Sequence, residues 1–171
     1  NRPLGEAVFT YLRRNTQLEG MSLADVAASR GLRPAEALLD LLIEEDGQIC
    51  YRGAPPDSVK TWQQISRDCV EFLSRPDYMV GSDAIPIGSV PHPRAYGCFP
   101  RFLGRLRRQF PILTLEGMVQ RMTDNPARRF GITLRGRIEQ GYFADLVVFD
   151  PDHIIDNATY DDPIQFPTGI P

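Results

Sequence analysis

Histidine is scarce in this chain: His92 and His153 are the only two among 171 residues. That is too few for a histidine-built metal centre, which draws several imidazoles together. Cysteine is sparse as well. Cys50, Cys69 and Cys98 lie far apart with no CxxC spacing, which excludes a disulfide framework and points to a reducing cytoplasm. Each thiol is expected to be a small buried hydrophobe rather than a ligand. No apolar run approaches the ~20 residues that span a bilayer, and no signal-peptide pattern opens the chain. A net charge of −3 gives no pull toward nucleic acid or an anionic membrane. There is no internal repeat and no low-complexity tract. Asn1 stands where a methionine would start a gene product, and Pro167-Thr168-Gly169-Ile170-Pro171 stops without a closing element. Both ends are therefore expected to be cut.

What is present is a globular composition, 42% apolar and 24% charged, sized for one domain or a piece of a larger one. Val8, Tyr11 and Leu12 fall at helical spacing and predict a short amphipathic helix over residues 4–14. Ser22, with Asp25 in the first turn, predicts a helix over 23–30 that stops at Gly31. Pro34 opens the next, whose run Ala35 to Ile43 is apolar nearly all round and reads as buried. Residues 48–52 read as a strand. Asp57 or Ser58 caps a long helix to about Ser74, with Val59, Trp62, Ile65, Cys69, Phe72 and Leu73 on one face. Tyr78 to Gly81 reads as a second strand, giving a βα unit with parallel strands.

Residues 84–98 form a Pro- and Gly-rich loop of the length that is commonly functional. Helices follow at 99–109, 114–123 and 125–130, then a strand pair at 137–139 and 145–149 joined by a turn at Gly141. Arg101, Arg105, Arg107 and Arg108 read as the solvated face of an amphipathic helix.

The chemistry concentrates at Tyr78-Met79-Val80-Gly81-Ser82-Asp83 and at His92-Pro93-Arg94. An Asp after Val-Gly-Ser can brace a turn or cap a helix. It can also serve as a catalytic base where a buried strand meets a loop. Ala84-Ile85-Pro86-Ile87-Gly88 makes no helix for Asp83 to cap, and the same loop carries an imidazole and a guanidinium. His92, between two prolines, either bonds backbone or touches substrate. His153, after Asp150-Pro151-Asp152, reads as a surface residue.

Together with Arg135-Gly-Arg-Ile-Glu-Gln-Gly-Tyr-Phe-Ala-Asp-Leu-Val-Val-Phe-Asp150, these segments resemble the C-terminal part of a metal-dependent amidohydrolase. They are most similar to the N-acyl-D-amino-acid deacylases (D-aminoacylases). In that family a Gly-Ser-Asp follows the eighth barrel strand and its aspartate is the general acid/base; Asp83 falls there. A His-Pro-Arg follows whose arginine binds the substrate α-carboxylate; Arg94 falls there, with Ser82 and His92 as further substrate contacts. Tyr96-Gly-Cys-Phe-Pro-Arg101 is similar to the family's aromatic-Gly-Thr-Phe-Pro-Arg, with Cys98 in place of threonine. Ala84-Ile85-Pro86-Ile87 departs from the family's Gly-Leu-Pro-His. The resemblance covers about residues 17–166.

The resemblance implies an α/β fold: the last two βα units of a (β/α)8 barrel over 1–130, and strands returning to a small β-sandwich over 131–171. It implies a zinc-dependent hydrolysis of N-acyl-D-amino acids to a D-amino acid and a carboxylate. The zinc ligands, a cysteine and several histidines, would belong to earlier strands, with none in this chain. The expected partners are a small-molecule N-acyl amino acid and either the missing N-terminal part or a second copy, with no nucleic acid and no membrane. A cyclic-amide hydrolase of the dihydroorotase or hydantoinase kind and a non-catalytic assembly subunit remain alternatives.

Overall fold

The computed structural model describes residues 3–170 and divides into two compact units. The first takes in residues to Pro55 together with Ala84–Ala95 and Thr159–Ile164. The second takes in Pro56–Asp83, Tyr96–Ala158 and the residues from Gln165 onward.

In the first unit, β1 (Val8–Leu12) pairs antiparallel with β2 (Ile49–Arg52), Val8 opposite Arg52 and Leu12 opposite Ile49. The helix expected over 4–14 is replaced by a single 3-10 turn (Leu4–Glu6) and this strand. Val8-Phe9-Thr10-Tyr11 is β-branched and aromatic throughout, which suits a pleated surface better than a helix. The register slips between Phe9 and Tyr11. Such a bulge lets neighbouring Phe9 and Thr10 both turn inward, and Val8 and Tyr11 stay half-buried. Helix α1 (Leu23–Arg30) starts where expected, with the Ser22 hydroxyl accepting the Asp25 N–H, and ends on Gly31 at φ +67°. Helix α2 (Pro34–Glu44) follows. Phe9, Leu12, Leu23, Val26, Ala27, Ala37 and Leu41 form the core, each large side chain contributing about 1.5–3 kcal/mol on burial. Only one stripe of α2 is covered. Leu39 is 61% and Ile43 77% exposed, contrary to the buried helix that the sequence suggests.

A carboxylate closes this unit. Glu45, fully buried, accepts the Arg14 N–H at 2.6 Å, the Asn15 N–H at 3.0 Å and the Asn15 Nδ2 at 2.6 Å. Burial pushes its pKa up, but these donors and the Arg14 charge outweigh it and hold the carboxyl below its usual range.

In the second unit, α3 (Val59–Leu73) is capped by Ser58, whose hydroxyl accepts the Thr61 N–H. A continuous helical run, whose first two residues belong to the first unit, follows further on: α4 (Arg94–Arg101), a π-helical stretch (Phe102–Leu106) and α5 (Arg107–Gln109). Then come α6 (Leu115–Met122), capped by Thr114, and α7 (Asp124–Arg129). Val70, Leu73, Val80, Leu106 and Met118 form its core. Val59 and Phe72 of the expected α3 face remain 72% and 60% exposed. The cysteines are not core residues either: Cys50 and Cys98 are half-buried and Cys69 is exposed.

The mixture of helix and sheet is α/β, but the parallel βα unit is not formed. Among the described residues β1–β2 is the only ladder, and it is antiparallel. Tyr78–Gly81 is irregular, with the Val80 N–H donated to the Arg121 carbonyl. The segments 137–139 and 145–149 are likewise unpaired, with Ile138 93% and Val148 73% exposed. A strand needs a neighbouring ladder to satisfy its amides, and none lies beside them among the described residues.

The arginine cluster is not a solvated face. Arg101 and Arg105 reach the buried Asp156 at 3.0 and 2.9 Å. Arg107 donates to the Pro151 carbonyl and Arg108 to that of Ile154. Gly104 allows the approach, since a Cβ there would lie 2.0 Å from the Ile154 oxygen.

A carboxyl with a lowered folded pKa contributes stability that is present above its unfolded pKa, about 4.3, and lost as pH falls through the folded value. Glu45→Gln should therefore cost about 1–3 kcal/mol at neutral pH, with the gap to the native chain closing below that range. Urea unfolding of both chains across pH measures it.

Candidate active site

Asp83 is placed by the packing of the segment before it. Arg121, on α6 next to the core residue Met118 and only 6% exposed, donates from Nε to the Leu73 carbonyl at 2.9 Å. Its Nη2 donates to the carbonyls of Ser74 and Arg75 at 3.1 and 3.2 Å. These are carbonyls that the end of α3 leaves without helical partners. Asn125, at the start of α7, donates from Nδ2 to the Pro76 and Tyr78 carbonyls at 2.8 and 2.7 Å. The chain is thus pinned from 73 to 80, with Val80 buried. Ser82 then emerges half-buried and Asp83 exposed. Asp83 has φ +46°, a left-handed conformation that a short polar side chain tolerates and most others resist. Outliers of this kind concentrate at functional sites.

Residues 84–93 are tied down within the first unit. Glu19, itself bonded to the Leu12 N–H, accepts the Ser89 N–H at 2.7 Å and the Ser89 hydroxyl at 2.6 Å. Gly88, at φ +84°, lies against β1 so closely that a Cβ would meet the Thr10 oxygen at 1.7 Å. Buried Pro91 and Pro93 flank His92. Its Nδ1 accepts the Arg94 N–H at 3.1 Å, and its Nε2 lies 3.1 Å from the Tyr160 hydroxyl. Arg94 is half-buried and is the first residue of α4, so the expected loop over 84–98 ends earlier than the sequence suggests.

The structure brings His92 and Arg94 together with Tyr160 in the first unit, while Ser82 and Asp83 end a segment of the second. His153 is an exposed residue, its Nδ1 2.8 Å from Asp150. That hydrogen bond and the amides of Asp152 and His153 hold the Asp150 carboxyl below its usual range. Among the described residues no cluster of three or more His, Cys, Asp or Glu could hold a metal ion. With both ring nitrogens of His92 engaged inside the chain, the residues present do not fit a zinc site. Glu19, Arg121, Asn125 and Tyr160 were not legible as site residues. Only Arg121 gave a signal, a charge between Met118 and Met122 on the apolar side of α6.

Residues 60–168 match the amidohydrolase family. The chain belongs to that family. It is 37% identical over 166 residues to a D-aminoacylase of Alcaligenes xylosoxydans xylosoxydans, covering 97% of this chain and 32% of that protein. An N-acyl-D-glutamate deacylase of the same organism is 37% identical over 164 residues, covering 94% and 30%. Among solved structures, the N-acyl-D-glutamate deacylase of Bordetella bronchiseptica, complexed with zinc and a phosphonate inhibitor, superposes with TM-score 0.78 at 35% identity, covering 98% of this chain and 33% of that one. A crystal structure of D-aminoacylase gives TM-score 0.77 at 34% identity, covering 99% and 34%. This amidohydrolase-family chain spans about a third of the length of the relatives it matches. The likeness reaches into residues 1–16, which the sequence motifs left unplaced.

Replacing Arg121 with leucine would take the guanidinium from the Leu73, Ser74 and Arg75 carbonyls, of which Leu73 is buried. It should destabilise the chain by about 2–4 kcal/mol and speed amide exchange between residues 73 and 80, as hydrogen-exchange mass spectrometry would register.

Proposed function

We propose that this chain is the C-terminal part of a zinc-dependent amidohydrolase that cleaves the linear amide of N-acyl-D-amino acids. The observation that carries the reading is the identity of 37% to deacylases of this kind over nearly the whole chain, joined to the motifs Gly81-Ser82-Asp83 and His92-Pro93-Arg94. That these relatives are named a D-aminoacylase and an N-acyl-D-glutamate deacylase favours it over a cyclic-amide hydrolase.

In this reading Arg94 holds the substrate α-carboxylate. Its guanidinium matches a planar carboxylate with two parallel hydrogen bonds. Its place on the first turn of α4 adds the positive end of a helix dipole, which favours an anion. Ser82 is a further substrate contact. Asp83, exposed and held in a left-handed conformation, moves the proton. Water oxygen bonds to the amide carbon as Asp83 takes its proton; the carbon–nitrogen bond breaks as Asp83 returns that proton to nitrogen. The products are a carboxylic acid and a D-amino acid. Zinc would belong to residues outside this chain.

We place residues 1–130 with the last two βα units of a (β/α)8 barrel and 131–171 with a small β-sandwich. The boundary follows the end of α7 at Arg129, beyond which the chain is irregular and largely exposed. The uncovered faces of α2 and α3 would pack against the N-terminal part of the parent protein in a cytoplasmic enzyme.

In the full-length protein, Asp83→Asn should lower kcat by about 10²–10⁴-fold on an N-acyl-D-amino acid, with bound zinc unchanged. Arg94→Lys should raise KM about tenfold or more while sparing kcat. Steady-state kinetics with metal analysis check both, and an active Asp83→Asn enzyme would overturn the reading.

A further inference from the structure

Helix α4 begins at Arg94, and the first N–H of a helix has no partner within it. Here that N–H goes to the His92 ring. A backbone amide can only donate, so Nδ1 must present a lone pair, and in the neutral imidazole the proton then sits on Nε2. Nε2 lies 3.1 Å from the Tyr160 hydroxyl, which accepts that proton. The two rings meet edge to face with centroids 5.2 Å apart.

Tyr160 is itself held. Arg52, on β2 opposite Val8, donates from Nη2 to the Tyr160 carbonyl at 3.3 Å and lies over its ring at 4.9 Å. A connected path therefore runs from the sheet through Arg52, Tyr160 and His92 to the backbone of Arg94. All four residues belong to one compact unit. Pro93 restricts the backbone of His92 to extended conformations, and buried Pro91 fixes the approach. The ring's rotation is the freedom left, and Tyr160 removes it.

We propose that Tyr160 and His92 are a positioning pair that sets where Arg94 presents its guanidinium, and that His92 acts through this bond rather than by touching substrate. The proposal rests on the carboxylate-binding role given to Arg94 above. A two-point guanidinium–carboxylate contact depends on geometry, and a shift of about 1 Å can cost up to ~100-fold. A residue sixty-eight positions beyond His92 in the sequence would in this way tune substrate affinity.

The test is a double-mutant cycle in the full-length enzyme with an N-acyl-D-amino acid, joined to nitrogen-15 NMR of His92 in the 171-residue chain. Tyr160→Phe keeps the ring over which Arg52 lies and removes only the hydroxyl. It should raise KM about three- to tenfold with kcat within about twofold, and His92→Ala should raise KM at least as much. Joined, the two should cost no more than His92→Ala alone, while His92→Asn, which keeps an acceptor for the Arg94 N–H, should recover part of the affinity. The His92 spectrum should show the Nε2-protonated neutral tautomer. Additive penalties, a loss in kcat without change in KM, or an Nδ1-protonated ring would overturn the pairing. Arg94→Lys separates the two levels. An unchanged KM there sinks the carboxylate role itself; a raised KM there with unchanged KM in Tyr160→Phe and His92→Ala sinks the pairing alone.

Discussion

A buried guanidinium holds the second unit in register. Arg121 lies on the core side of α6 and joins the last carbonyls of α3 by charge-assisted hydrogen bonds. Its own carbonyl takes the Val80 N–H. Core packing at Val70, Leu73, Val80 and Met118 sets how close the two helices come. It is non-directional and does not say where the chain leaves α3. Arg121, with Asn125 behind it, supplies that direction, and the direction delivers Ser82 and Asp83. An unpaired charge in that place would cost several kcal/mol, so geometry there is tightly specified.

The first unit solves the matching problem for the other motif with different chemistry. Glu19 and the close approach at Gly88 fix residues 88 and 89 against β1, and the His92 ring starts α4. Up to Asp83 and up to Pro93 the two motif segments lack regular structure, and both are immobilised by side chains far away in sequence. Much apolar surface stays open meanwhile: Ile43 on α2, Phe72 on α3 and Val147 and Val148 beyond α7. The chain spans about a third of the length of the relatives it matches.

The two candidate motifs were legible because they are contiguous: Gly81-Ser82-Asp83 and His92-Pro93-Arg94 can be recognised without knowing what surrounds them. Their supports were not. Tyr160 meets His92, and Glu19 meets Ser89 across seventy positions, contacts that leave no periodicity or spacing to read. The arginines at 101, 105, 107 and 108 misled in the same way. Their spacing is that of a wet helix face, and only the fold shows Asp156 and the carbonyls of 151–154 lying against it.

By itself the sequence determined where the capped helices start and stop, though not the start of α4 at Arg94. Ser22, Ser58 and Thr114 cap, Pro34 opens and Gly31 closes through bonds spanning three or four residues. Residues 48–52 also read as a strand and supply β2, but tertiary structure decided the other strand assignments. Residues 8–12 became one against a helical-looking pattern because β2 lies alongside; 78–81 and 145–149 did not, because no ladder meets them among the described residues. A helix satisfies its amides from within, whereas a strand depends on a neighbour that only the folded chain can supply.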